Sequence, residues 1–231
     1  MNSLFNTHRL TLKVSNQPNF IASQQVAIFK NWHHLLSTTD KTEEQLQADF
    51  LNDIFGEVLG YKYKRGEAET NLEKEEKTEL DAKKPDGILG FFSLNQSKDQ
   101  QDIRVIIELK GSKANLDARQ NRDSKQTAVE QAFSYVSKYQ KVEFVIVSNF
   151  KEIRLYQSHY QGKYQQFLMA DLVHNTQKQQ EFYFLLCKNN LIGFAPILAR
   201  LSSNLSKMKP STKPKSKTNF ISNIKLIDKI L

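Results

Sequence analysis

Three short apolar segments, residues 88–94, 103–109 and 144–148, constrain this chain more than any other feature. Each is rich in β-branched or aromatic residues, as interior strands are. Between the last two, Ala128, Ala132, Tyr135, Val136 and Tyr139 recur at helical spacing, so the order is strand, strand, helix, strand. A further strand over residues 153–156 follows the Asn149-Phe150-Lys151 turn. This order predicts one α/β domain plus appendages.

Upstream, Ile21, Val26, Ile28, Phe29, Trp32, Leu35 and Leu36 follow a helical period that Ser37-Thr38-Thr39-Asp40 interrupts. A second helix is expected from Thr42 as N-cap, with Gln45 three residues on and Leu46, Phe50, Ile54 and Val58 as its apolar stripe. Gly60 is its expected left-handed cap. Residues 1–18 alternate at Leu10, Leu12 and Val14, which suggests an edge strand or arm. Residues 61–84 are charged and suggest a surface hairpin or loop. Phe182, Phe184, Leu185 and Leu186 suggest a last helix, stopped by Asn189-Asn190. The domain is expected over residues 1–200, followed by a lysine-rich linker and connector segment over 201–231.

No apolar run approaches the length of roughly 18 to 20 residues that a membrane helix needs, and the N-terminus lacks the apolar core of a signal peptide. A cytoplasmic protein is expected. The single cysteine, Cys187, has no partner for a disulfide or a metal site and reads as a buried apolar residue. The net charge of +8 invites a nucleic-acid reading, but seven lysines from Lys207 onward face only Asp228, so that segment carries +6 of it. The pI therefore argues about a tail rather than a domain.

The chemistry sits at two strand ends. Asp86 lies between Pro85 and Gly87 where one apolar segment opens, and Glu108 and Lys110 flank Leu109 where the next one closes. Residues two apart on a strand share a face, so Glu108 and Lys110 project together. If the two strands pair as a hairpin, Asp86 reaches the same patch. Charges at the end of buried strands are costly without a partner, and a hard cation is the natural one. Mg²⁺ takes oxygen ligands and is commonly held by one or two carboxylates plus a substrate phosphate. Asp86, Glu108 and the Leu109 backbone carbonyl form that set, with Mn²⁺ as an expected substitute. The bland alternative is a surface salt bridge between Glu108 and Lys110. On the following helix Gln131 and Tyr135 stand four apart and share a face.

Other features read as ordinary structure. His33-His34 face different ways on a helix and have no second pair at ligand spacing. Phe91 and Phe92 read as core and cover rather than a base-stacking platform. A Rossmann-like nucleotide binder is excluded because no glycine-rich loop joins a strand to a helix.

Taken in order, Thr42-Glu43-Glu44, Asp49-Phe50-Leu51-Asn52-Asp53-Ile54-Phe55, Leu59-Gly60-Tyr61, Lys77-Thr78-Glu79-Leu80-Asp81 and Pro85-Asp86-Gly87-Ile88 form a series of short motifs. Ile107-Glu108-Leu109-Lys110, Leu116-Asp117, residues 126–135 and residues 145–156 continue it. The series resembles the N-terminal nuclease domain of type IIG restriction-modification enzymes, single chains that fuse nuclease, adenine methyltransferase and target recognition. The resemblance covers roughly residues 24–192 and implies a PD-(D/E)XK restriction-endonuclease-like fold, a central mixed β-sheet flanked by helices. It implies Asp86, Glu108 and Lys110 as the catalytic set, Gln131 and Tyr135 as a motif shared with RecB-like nucleases, and Glu44 as a further acidic ligand on the upstream helix. Glu43 competes with Glu44 for that last place, and a favourable charge at a helix N-terminus explains either.

The expected activity is Mg²⁺-dependent, site-specific cleavage of double-stranded DNA, with a transient dimer for cutting both strands. A methyltransferase and specificity module, in cis or in trans, would choose the target, since neither motif set is present in this chain. The chain reads as an isolated nuclease domain. Two alternatives stay open: a stand-alone nuclease that degrades DNA non-specifically or from ends, and a catalytically silent DNA-binding or assembly module whose lysine tail contacts phosphates.

Overall fold

Antiparallel strands need only a tight turn between them, whereas parallel neighbours need a crossover, and the single helix between the second and third apolar segments supplies one. In the computed structural model, which describes residues 3–16, 21–38, 40–63, 68–74, 84–93, 101–120 and 125–193, the strands form one six-stranded sheet in sequential order β1 to β6. They are β1 (Glu69–Glu73), β2 (Gly87–Ser93), β3 (Asp102–Leu109), β4 (Phe144–Ser148), β5 (Glu152–Gln157) and β6 (Tyr160–Leu168). Only β3 and β4 run parallel, and the crossover between them carries α4 (Ala128–Ser134). The sheet is therefore mixed and flanked by helices, as expected for the fold class.

Alternation sorts the strand residues onto two faces. Leu89, Val105, Ile107, Leu109, Ile146, Ile153, Leu155 and Phe167 join one large core. That core also contains residues of α1 (Thr7–Ser15), α2 (Ser23–Thr38), α3 (Glu43–Phe50), α5 (Met169–His174), α6 (Thr176–Leu186) and α7 (Lys188–Leu191). On the opposite face α4 packs Ala128, Val129 and Ala132 over Val145, Val147 and Tyr156. Ile88, Phe92 and Ile103 form a smaller cluster. Glu108 lies opposite Val147 in the parallel ladder, so it belongs to the α4 face.

Local signals explain several boundaries. The Gln45 side chain accepts from the Thr42 N–H at 2.9 Å, one arm of a capping box that starts α3. Past Phe50 the helix widens into a π-helical stretch, Leu51–Val58, and ends at Gly60, whose φ of +79° favours glycine. At Gly90 the β2–β3 register shifts, and a β-carbon there would clash with the Asp102 carbonyl oxygen. The turn before β5 places Phe150 at φ 68°, with its ring buried against Trp32 and Phe50.

Some expectations are corrected. The N-terminal alternation belongs to a helix rather than an edge strand: α1 buries Leu10 and Val14, four apart, and leaves Leu12 51% exposed. Ser3 bridges to Tyr164 at the sheet edge. The charged 61–84 stretch holds β1, and β6 and α5 fall in segments where no element was expected. The helix expected through Tyr139 is shorter, since α4 gives way to a 3₁₀ turn, Val136–Lys138. The lysine-rich segment and Lys77-Thr78-Glu79-Leu80-Asp81 lie outside the described residues. Among the described residues no helix is long and apolar enough to cross a membrane.

Candidate active site

Pairing of Gly87 with Ile107 sets Asp86 across from Glu108 where β2 begins and β3 ends. The Leu109 N–H donates to Asp86 Oδ2 at 2.7 Å and closes the gap. Lys110 donates its own N–H to the Ser148 carbonyl at 2.8 Å. A strand residue's N–H and C=O point the same way and successive residues alternate, so the Leu109 carbonyl lies on the Asp86 side. Asp86, Glu108, Lys110 and that carbonyl thus converge as expected from strand geometry.

The site is buried. Glu108 is 1% exposed and Lys110 5%, and the Lys110 ammonium donates to Glu108 Oε1. This is not the surface salt bridge of the bland reading. The other oxygen, Glu108 Oε2, is buried with no hydrogen-bond partner. Burial, together with the negative charge of Asp86, pushes the Glu108 carboxyl up to about 8, against the pull of Lys110. Burial likewise raises the Asp86 carboxyl above its ordinary value, opposed by the Leu109 N–H and by Lys110. An orphaned carboxylate oxygen beside a second carboxylate is costly in a protein interior. It is also the arrangement that a hard cation relieves, because every donor available here is oxygen. Among the described residues no three His, Cys, Asp or Glu side chains are grouped to hold an ion by themselves. A cation here would take two carboxylates and a backbone carbonyl, completed by water and phosphate.

The upstream helix contributes differently from the expectation. Glu44, the residue assigned a ligand's place, is exposed. Glu43 instead reaches the strand end, where its Oε2 accepts from the Gly111 N–H at 2.7 Å. Its charge adds to the upward pressure on Glu108. One turn further on, Gln47 is buried, 7% exposed, and its side chain favours the charged form of Asp86. Its signal in the sequence is a polar residue four positions after Glu43, between the apolar Leu46 and Phe50.

Gln131 and Tyr135 lie on the α4 side of the sheet and bond to each other, Gln131 Nε2 donating to the Tyr135 hydroxyl at 3.0 Å. The Gln131 carbonyl accepts from Gln120 at 3.3 Å, which ties α4 to the loop following β3. The side-chain hydrogen bonds of Gln131 therefore run to that loop and to Tyr135 rather than to Asp86, Glu108 or Lys110. The loop is pinned further along by Arg154, whose buried guanidinium binds Asp117 through two bonds of 2.8 and 3.0 Å. Asn149 donates to the Ala114 carbonyl at 2.9 Å.

His33 and His34 are exposed on α2, and Cys187 is buried, its thiol raised by desolvation. Phe92 is buried and Phe91 exposed, core and cover.

A family model described as the MmeI N-terminal domain matches residues 23–191. No curated protein and no solved structure matches the chain.

Proposed function

The chain belongs to the MmeI N-terminal domain family, the nuclease domain of type IIG MmeI-like enzymes, and from that premise we propose that it hydrolyses DNA phosphodiester bonds with Mg²⁺. The observation that carries the proposal is the buried Glu108 Oε2, without a hydrogen-bond partner, on a carboxylate that lies beside Asp86 and Lys110. Asp86, Glu108 and the Leu109 carbonyl would hold the ion.

A bound Mg²⁺ would polarise the scissile phosphate and make the attacking water more acidic. Lys110, held by Glu108, orients that water and offers positive charge to the phosphoryl oxygens as negative charge builds on them. Water attacks phosphorus in line, the bond from phosphorus to the 3′ oxygen breaks, and that oxygen takes up a proton. The products carry a 5′-phosphate and a 3′-hydroxyl. Double-stranded DNA is the substrate, and a methyltransferase and specificity module, in cis or in trans, selects where it is cut. Cutting both strands calls for a second copy of the domain in a transient dimer.

The test is supercoiled plasmid incubated with the protein in Mg²⁺, in Mn²⁺ and in EDTA. Wild type nicks or linearises the plasmid with either metal and not in EDTA. Asp86→Ala and Lys110→Ala each lower the rate by about two to three orders of magnitude, the range for losing one group that stabilises transition-state charge. Metal-dependent cleavage that survives both substitutions overturns the site assignment.

A further inference from the structure

The chain that follows Lys110 forms neither helix nor strand from Gly111 to Gln120, yet it is anchored at every third residue. The Gly111 N–H donates to Glu43 on α3, and the Ala114 carbonyl accepts from Asn149 just past β4. Asp117 meets Arg154 on β5, and Gln120 donates to Gln131 on α4. Leu116, fully buried, joins Val145 and Val147 in the cluster beneath α4. Ordering an irregular segment costs conformational entropy at each residue, and these contacts offset it for a stretch that begins next to a candidate catalytic lysine.

The Asp117 anchor is the strongest by its chemistry. Arg154 donates to both Asp117 carboxylate oxygens, at 2.8 and 3.0 Å, in the bidentate, charge-assisted form. The guanidinium is itself fixed, because it also donates twice to Glu152 at 3.0 Å and lies 4.7 Å from the centre of the Tyr164 ring. Register relates this pair to the site. Glu108 is paired with Val147 and Val147 with Arg154, so the three stand abreast on one face of the sheet. Two strand spacings, about 10 Å, separate Glu108 from Arg154. The segment therefore leaves β3 at Lys110, crosses β4 and is clasped on β5, all on the face from which Glu108 projects. We propose that Asp117 and Arg154 are positioning residues that hold this segment down and so keep Lys110 in place as negative charge builds on the phosphate. The Ser148 carbonyl fixes the backbone at Lys110 itself, and the clasp fixes the chain that follows. The inference rests on the nuclease reading of the site and gives neither residue a contact with DNA.

The experiment uses the full chain and two readouts. The first is limited trypsin digestion without metal, following the fragments that end at Lys113 and Arg119, both exposed and on either side of Asp117. The second is Mg²⁺-dependent plasmid cleavage over a range of plasmid concentrations, which separates kcat from KM. Asp117→Ala removes the clasp at a side chain that is 64% exposed, so the fold tolerates the change. Asp117→Glu keeps the carboxylate. Asp102→Ala is the control, since Arg104 grips Asp102 in the same two-bonded way, at 2.7 and 3.0 Å, where β3 begins at the far end from Lys110. D117A should speed trypsin cutting at both sites by about tenfold, the rise in open population expected from losing a charge-assisted pair. It should lower kcat by about ten- to a hundredfold, the effect of misplacing a catalytic group from a distance, and leave KM unchanged. D117E should recover part of kcat, and D102A should match wild type in both readouts. A D117A protein with wild-type kcat, a loss that falls in KM alone, or an equal loss of kcat in D102A overturns the inference and leaves the nuclease reading intact. A wild-type protein that cleaves nothing with Mg²⁺ overturns both.

Discussion

Replacing Glu108 by glutamine should remove most of the pH dependence of the metal-free protein's stability. In the folded chain burial and Asp86 push this carboxyl up to about 8, against an ordinary value of 4.5. The folded state holds the proton more tightly, so folding takes one up between those two values. The contribution to stability is fully present below pH 4.5 and is lost as pH rises through about 8. Each unit of difference corresponds to about 1.4 kcal/mol, so the loss across the window is about 5 kcal/mol, of which about 3 has occurred by pH 7. Asp86 shares in this titration, so the loss belongs to the pair. E108Q cannot ionise, and the lone Lys110 ammonium it leaves behind faces a neutral partner, as it does in wild type with Glu108 protonated. The cost of that lone charge therefore cancels when the two proteins are compared across pH. The assay is urea unfolding in EDTA, followed through Trp32, the chain's one tryptophan, which is buried and donates to Asp53 at 3.0 Å. At pH 5 the two proteins should have similar stability; at pH 8 the variant should be more stable by several kcal/mol. Parallel pH–stability curves for wild type and E108Q would refute the reasoning, because they would mean that Glu108 ionises in the folded state as it does in water.

The same shift predicts how metal binding responds to pH. Glu108 must shed its proton to accept an ion, so Mg²⁺ affinity should fall about tenfold per pH unit below about 8. Mg²⁺ titrations of the unfolding midpoint at pH 6, 7 and 8 read this directly; saturation at a hundred times the dissociation constant adds about 2.7 kcal/mol, and an affinity independent of pH would contradict the idea. The N-terminal helix yields a separate prediction: Leu10→Ala should cost about 2 to 5 kcal/mol in urea unfolding, and Leu12→Lys should cost under about 0.5 kcal/mol. Equal losses at both positions would favour the two-residue alternation of a strand.

Much of the fold was legible because its signals are local. The β-branched runs at Val105-Ile106-Ile107 and Phe144-Val145-Ile146-Val147 lie within a few residues, and so does the capping pair Thr42 and Gln45. What was missed lacked a local signal. β1 (Glu69–Glu73) and much of β6 (Tyr160–Leu168) are polar edge strands, whose exposure permits charged and amide side chains that the apolar pattern does not reveal. In α1 the spacing of Leu10, Leu12 and Val14 fits a period of two as well as a helix that buries the first and last, and the choice depends on what α1 packs against.

The site divides the same way. That Glu108 and Lys110 share a face follows from strand alternation, and it was determined by sequence before any packing was considered. Which helix residues meet the strand ends was not. Successive helical residues are rotated by about 100°, so the angle at which α3 docks decides that Glu43 reaches Gly111 while Glu44 stays exposed, and that Gln47 is buried. The docking angle is set by Leu46 and Phe50 entering a core built from distant segments. Burial of Glu108 has the same origin: a sequence can place a carboxylate at the end of a strand, but only the sheet and helices closing around it remove water from one of its oxygens and leave that oxygen without a hydrogen-bond partner.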